Sequence, residues 1–183
     1  MKKSRDYSWN RGGNGVNRRI RQYIGIFAAV AAYYLVHEGA HLMVALACGV
    51  FREVRFLGLG IQIDIYAEGM TELQLGVFCL AGAAATAAVG WLLAALAKRI
   101  CRLDSRLVKA VMWYVTLALL LLDPLYLSVL CGFFGGGDMN GIRCLLPETA
   151  ARIGFATIGV VHGVVIWKYL LPLYTKSFDR EEK

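Results

Sequence analysis

Long stretches almost free of charge constrain this chain more than any other feature of its sequence. Four of them span residues 24–50, 73–97, 108–134 and 153–173. A helix needs about 20 apolar residues to cross a bilayer, and each stretch meets that length. Hydrophobic residues make up 58% of the chain, above the roughly 45–50% of ordinary soluble domains. The sequence therefore predicts an all-α integral membrane protein with about four transmembrane helices.

The charged residues between these stretches indicate an orientation. Residues 1–21 carry seven Lys and Arg, the 98–109 connection carries five, and the tail after Tyr174 carries three. The alternate connections, 51–72 and 135–152, carry two each. Because cytoplasmic loops are enriched in Lys and Arg, we expect a multi-pass protein of the plasma membrane with both termini in the cytoplasm. The same rule accounts for the net charge of +7, so we expect no nucleic-acid partner.

The positions of the apolar stretches and the charged segments divide the chain into three predicted parts. Residues 1–22 form a basic, flexible cytoplasmic segment, residues 23–174 a single membrane-embedded domain, and residues 175–183 a charged tail. Between the first two stretches, apolar side chains occupy every odd position from Leu57 to Ile65, an alternation typical of a strand. Because a strand edge facing lipid leaves backbone groups unpaired, we expect a short membrane-associated β-hairpin or strand packed at the interface or inside the bundle.

The residues with the clearest chemistry form the motif His37-Glu38-Gly39-Ala40-His41. On a helix, residues four apart lie on one face, so two imidazoles can bind one metal ion. Glu38 can then take a proton from a water molecule on zinc. A central carboxylate inside an apolar span costs about 2.5–3.5 kcal/mol on insertion scales, and a bound cation offsets that cost. We therefore expect one Zn²⁺ per chain, with Glu38 as the catalytic residue.

Zinc in a catalytic site needs a third protein ligand, and the sequence offers three candidates. His162 lies within the fourth stretch, where it can equally form an interhelical hydrogen bond. Asp123 precedes Pro124, where its local role would be to bond backbone groups that the proline releases. Asp138 lies at the far end of the third stretch, which runs in the same direction as the first. His41 lies about 30 Å along the first helix, at a similar depth, so Asp138 is the favoured ligand.

Three motifs, taken together, resemble those of the site-2 protease family of intramembrane zinc metalloproteases. They are HEGAH at 37–41, LAGAAA at 80–85 and DMNG at 138–141. The family also places a membrane-associated sheet between the first two motifs. The resemblance implies that His37, His41 and Asp138 bind zinc and that Glu38 is the base. It also implies cleavage in or beside a transmembrane segment of a protein or peptide substrate.

The region predicted to bind that substrate is the alternating strand. An extended peptide can add to its edge, so Gly60, Ile61 and Gln62 are candidate substrate-binding residues, together with Asn140 beside the predicted ligand Asp138. The oligomeric state is left open by the sequence.

Two alternatives also remain open at this stage. The first is a catalytically inactive membrane scaffold that keeps the metal site. The second is a small ion or proton transport component, in which His37, Glu38, Asp123 and Lys168 would form the path.

Overall fold

The structure is a computed structural model that describes residues 17–58, 60–133 and 137–179. Several predicted features lie partly outside the described residues. They are the basic segment (residues 1–16), the predicted strand (Leu59), the glycines near Asp138 (135 and 136) and the end of the tail (180–183). Within the described part, four helices are long and apolar enough to cross a membrane. The predicted helical architecture with four apolar spans is therefore confirmed at this level.

The elements follow one another in a simple order. They are α1 (Arg18–Ala47), β1 (Phe51–Leu57), β2 (Gly60–Ile65), α2 (Glu72–Ile100), α3 (Arg106–Ser128), the short α4 (Met139–Ile142), α5 (Glu148–Val165) and α6 (Leu171–Asp179). A π-helical turn, Ile166–Leu170, joins α5 to α6, so that Glu148–Asp179 is one continuous span. Helices α1, α2 and α3 pack against one another, and α5 packs against α3.

Local capping explains where the helices differ from the predicted spans. Asn17 accepts the N–H of Arg19 at 3.1 Å and caps α1, so that residues 18–22 of the predicted flexible segment are helical. The helix ends before Gly49, whose φ of +68° suits glycine. Thr71 forms a capping box at the start of α2. At the other end of the domain, α6 continues to Asp179, past the predicted boundary at residue 174.

The third helix, Arg106–Ser128, continues through Pro124. A proline inside a helix leaves the carbonyl four residues earlier without its N–H partner. For Pro124 that carbonyl belongs to Leu120, and His162 Nδ1 from α5 lies 2.6 Å from it. The predicted local role of Asp123 is therefore wrong, because the freed carbonyl is satisfied by His162 from a neighbouring helix.

The segment between α1 and α2 is a hairpin, not one strand from Leu57 to Ile65. The chain reverses after Gly58, whose φ is +62°, and β1 pairs antiparallel with β2 in a register that places Val54 opposite Ile63. The alternation of apolar residues continues through the turn in the sequence, because the even positions around the turn are Gly58 and Gly60. Ile63 is buried in the cluster that contains the end of α1, so β2 is held against that helix.

Candidate metal centre

Two histidines and an aspartate from distant parts of the chain meet inside the bundle. His37 and His41 lie one turn apart on α1, and Asp138 directly precedes α4. The Nε2 atoms of the two histidines are 3.1 Å apart. Asp138 Oδ2 lies 3.1 Å from Nε2 of His37 and 3.5 Å from Nε2 of His41. Tetrahedral zinc, with N and O ligands at about 2.0–2.1 Å, holds its ligand atoms about 3.3–3.4 Å apart, so the three distances fit one ion.

The far ring nitrogens of both histidines face acceptors. His41 Nδ1 lies 2.8 Å from the carbonyl oxygen of Phe78, and His37 Nδ1 lies 3.2 Å from Asp123 Oδ1. Because these oxygens only accept, we assign the ring proton of each histidine to Nδ1. The two Nε2 lone pairs then point toward each other and toward Asp138. One proton can satisfy one of these three contacts, whereas a cation between the atoms satisfies all of them.

The charge around the cluster also favours a cation. Asp138 places a carboxyl oxygen against the Nε2 atoms of both histidines. Asp123 and Glu38 add two more acidic groups, and the described residues that line the adjacent cleft include no Lys or Arg. A divalent ion would compensate this excess of negative charge.

Asp123 lies behind His37, outside the cluster. Its carboxylate is 1% exposed and accepts hydrogen bonds from the Tyr33 hydroxyl at 2.6 Å and from the Thr86 hydroxyl, in addition to His37 Nδ1. The structure therefore does not bring Asp123 among the converging ligand atoms. One signal in the sequence points to this arrangement: Tyr33, His37 and His41 recur every four residues and so share one face of α1.

The main chain of α2 packs directly on the two imidazoles at Gly82. A Cβ atom added to this glycine would lie 2.6 Å from His37 Cε1 and 2.6 Å from His41 Nε2. The small-residue run 80–85 therefore does more than bring helices together, because its glycine leaves the space that the histidine rings occupy. In the sequence this run stood out as one of the three motifs of the resemblance, and its contact with the histidines comes from the fold.

Glu38 lies beside the cluster and contacts the hairpin. Its Oε2 accepts the backbone N–H of Ile63 at 3.2 Å. Glu38 and the three cluster residues line a cleft of about 330 Å³. The predicted substrate-binding residues Gly60, Ile61 and Gln62 also line this cleft, together with Tyr33, Tyr34, Ile63, Phe78, Tyr126 and Gly137. Asn140, the fourth candidate, is exposed on α4 and is not among the lining residues.

Two other candidate residues lie apart from the cluster. His162 donates from Nδ1 to the Leu120 carbonyl and accepts the Trp91 indole N–H at 3.0 Å on Nε2, so both of its nitrogens have partners. Lys168 is exposed, and its Nζ lies 4.3 Å from the centre of the Trp167 ring. The structure therefore places neither residue with His37, Glu38 or Asp138.

Comparisons of the chain with protein-family models, with curated proteins and with solved structures find no match. The resemblance to site-2 proteases thus stays a prediction from the sequence motifs. In the structure the three motifs meet in space: His37 and His41 belong to the first, Gly82 to the second and Asp138 to the third.

Proposed function

We propose that the protein is an integral membrane zinc metalloprotease. It hydrolyses a peptide bond in or next to a transmembrane segment of a membrane protein or peptide. The observation that carries this proposal is the placement of Glu38, which lines one cleft with a three-ligand cluster and an extended strand. His37, His41 and Asp138 would hold the metal.

The chemistry follows from what each group can do. Zinc bound by three protein ligands acts as a Lewis acid and lowers the pKa of a water molecule that it binds to about 7. Glu38 follows His37 in the chain and faces the same cleft, so its carboxylate can accept a proton from the attacking water. The same carboxyl can then give that proton to the leaving amine, so that the base is restored after each cycle.

The hairpin supports a mode of substrate binding. The N–H of Ile63 points away from β1, because it donates to Glu38 on α1. Backbone groups of alternate residues in a strand point to the same side, so the N–H of Ile61 is directed toward the cleft as well. An unwound substrate segment can pair with this edge of β2 at Ile61. Its carbonyl groups would then pass close to Glu38 and the metal ligands.

The setting of the site supports a substrate that is itself embedded in the membrane. Two of the three cluster residues, His37 and His41, lie on α1, one of the four helices that are long and apolar enough to span a bilayer. The basic segments at 1–21 and 98–109 support an orientation with both termini in the cytoplasm of a plasma-membrane protein. In that orientation the cluster lies in the outer half of the membrane, because His41 is distant from the basic start of α1.

The test compares membrane proteins from cells that express wild type, Glu38→Gln or Ile61→Pro. Mass spectrometry of peptide termini identifies fragments that arise only with active protein, and metal analysis of the purified variants provides the control. We expect Glu38→Gln to abolish these fragments, at least about 100-fold by loss of the general base, while zinc content stays the same. Ile61→Pro removes an outward N–H without removing a ladder bond, and we expect it to reduce cleavage at unchanged zinc content.

The opposite results separate the alternatives. If wild type and Glu38→Gln produce the same termini while both hold zinc, the protein is an inactive metal-binding scaffold. If Glu38→Gln abolishes cleavage but Ile61→Pro has no effect, the protease proposal stands and the binding of substrate to β2 is wrong.

A further inference from the structure

We propose that Asp123 is a positioning residue of the metal centre, which holds His37 in the orientation that metal binding requires. The proposal rests on the proposed metal site and adds a residue that does not itself bind the ion. Asp123 lies on α3, 86 residues from His37 in the chain. It reaches the histidine on the side of the ring opposite to the cluster.

Because His37 Nδ1 faces the carboxylate of Asp123, this nitrogen acts as a hydrogen-bond donor. This nitrogen lies 3.2 Å from Oδ1 and 3.4 Å from Oδ2 of the carboxylate, so its N–H is shared between two acceptors. The proton therefore stays on Nδ1, and the lone pair of Nε2 is directed at Asp138 and His41. A carboxylate in this place also raises the basicity of the imidazole, which strengthens the bond that Nε2 forms to a metal.

The carboxylate is itself fixed from two other helices. Tyr33 on α1 donates its hydroxyl to Oδ1, and Thr86 on α2 donates to Oδ2. The ring of Tyr33 also stacks on the ring of His37, with centroids 5.2 Å apart and an interplanar angle of 26°. Tyr33 therefore restrains both the histidine and the group that orients it. These contacts hold a buried anion in place next to the cluster.

The second histidine provides an internal contrast. His41 is oriented by the carbonyl oxygen of Phe78, a backbone group that no side-chain substitution removes. His37 instead depends on a side chain, the carboxyl group of Asp123. We therefore expect the metal affinity of the site to respond to changes at Asp123, although this residue touches neither the ion nor the substrate.

The experiment measures zinc affinity of the detergent-purified protein by competition with a chelator. We expect Asp123→Asn to weaken zinc binding about 10–100-fold, the range found when partners of metal-bound histidines are removed, at an unchanged stoichiometry. Thr116→Val is the matched control, because Thr116 is a buried hydroxyl on the same helix that donates to the Met112 carbonyl. We expect this variant to change zinc affinity less than about 2-fold.

A second readout does not depend on the metal. Nitrogen-15 NMR of histidine-labelled, zinc-free protein reports which ring nitrogen carries the proton. We expect Asp123→Asn to shift the Nδ1 signal of His37, because the substitution changes the acceptor that this nitrogen faces. A role of Asp123 confined to helix packing would leave the signal unchanged.

Three results would overturn the proposal. The first is a folded Asp123→Asn variant with wild-type zinc affinity, which leaves the protease proposal intact. The second applies if Asp123→Asn does not fold. Tyr33→Phe and Thr86→Val each remove one hydrogen bond to the carboxylate, and wild-type zinc affinity in both variants would then contradict the proposal. The third is wild type that binds no zinc, which removes the proposed function as well.

Discussion

The two sites with buried histidines differ in whether every ring nitrogen has a suitable hydrogen-bond partner. At His162 one ring nitrogen donates to the Leu120 carbonyl and the other accepts from Trp91, so a neutral ring is fully satisfied. At His37 and His41 the outer nitrogens are satisfied in the same way, but the inner ones converge on a carboxylate. Burial alone therefore does not distinguish a candidate metal ligand from a structural histidine. The distinguishing feature is that several acceptor atoms face one point.

The largest expected effects come from single substitutions at the two sites, two in the cluster and one at His162. We expect His37→Ala and Asp138→Ala to reduce zinc from about one ion per chain to below about a tenth, because each leaves two protein ligands. His162→Gln can still donate to Leu120 and accept from Trp91, so we expect it to retain its zinc. Mass spectrometry of the purified proteins measures the metal. Retention of zinc in Asp138→Ala, or loss in all three variants, would contradict the assignment.

Gly82 and Gly90 on α2 form a matched pair of substitution sites, with a smaller expected effect on zinc binding. An added Cβ at Gly82 would meet both histidine rings, whereas at Gly90 it would lie 2.7 Å from Leu120 Cδ2. We expect both alanine substitutions to destabilise the fold by about 1–3 kcal/mol through overpacking. We expect only Gly82→Ala to weaken zinc binding as well, by about 10-fold or more, since a ligand displaced from its geometry binds poorly. Chelator competition and thermal unfolding measure the two quantities, and equal zinc affinities in the two variants would show that the contact with the rings has no consequence.

The smallest expected effect concerns His162, whose two ring nitrogens both have hydrogen-bond partners. Trp91→Phe removes the indole N–H and leaves Nε2 of His162 buried without its donor. We expect a loss of about 1–3 kcal/mol in stability, the cost of an unsatisfied buried group, with zinc affinity unchanged. Unfolding in mixed detergent measures the first quantity and chelator competition the second. A decrease in zinc affinity would mean that the two histidine sites are coupled through α2.

Features encoded by local spacing were predictable from the sequence. The four apolar runs predicted the spans, and the pair His37 and His41 followed from a separation of one helical turn. Asp138 followed from a topological argument about depth in the membrane. The helix ends were less predictable, because caps such as Asn17 and the glycine turn at Gly49 act within a few residues of polar sequence.

Contacts between helices were not predictable in the same way. The roles of Asp123 and His162 depend on how α3 is rotated against α1 and α5, and neither apolar run sets that rotation. A proline in a span signals a carbonyl without a partner, but not which side chain supplies the donor. For Pro124 the donor comes from a residue 42 positions from that carbonyl in the chain.

The distance in sequence between the ligands has a consequence for the synthesis of the protein. His37 and Asp138 are 101 residues apart, and ribosomes add about 5–20 residues per second. For several seconds, therefore, the nascent chain contains the histidine pair and Glu38 but lacks the aspartate that completes the cluster. The cluster of His37, His41 and Asp138 can therefore form only after α3 has been made and packed, so this site is among the last parts of the bundle to be assembled.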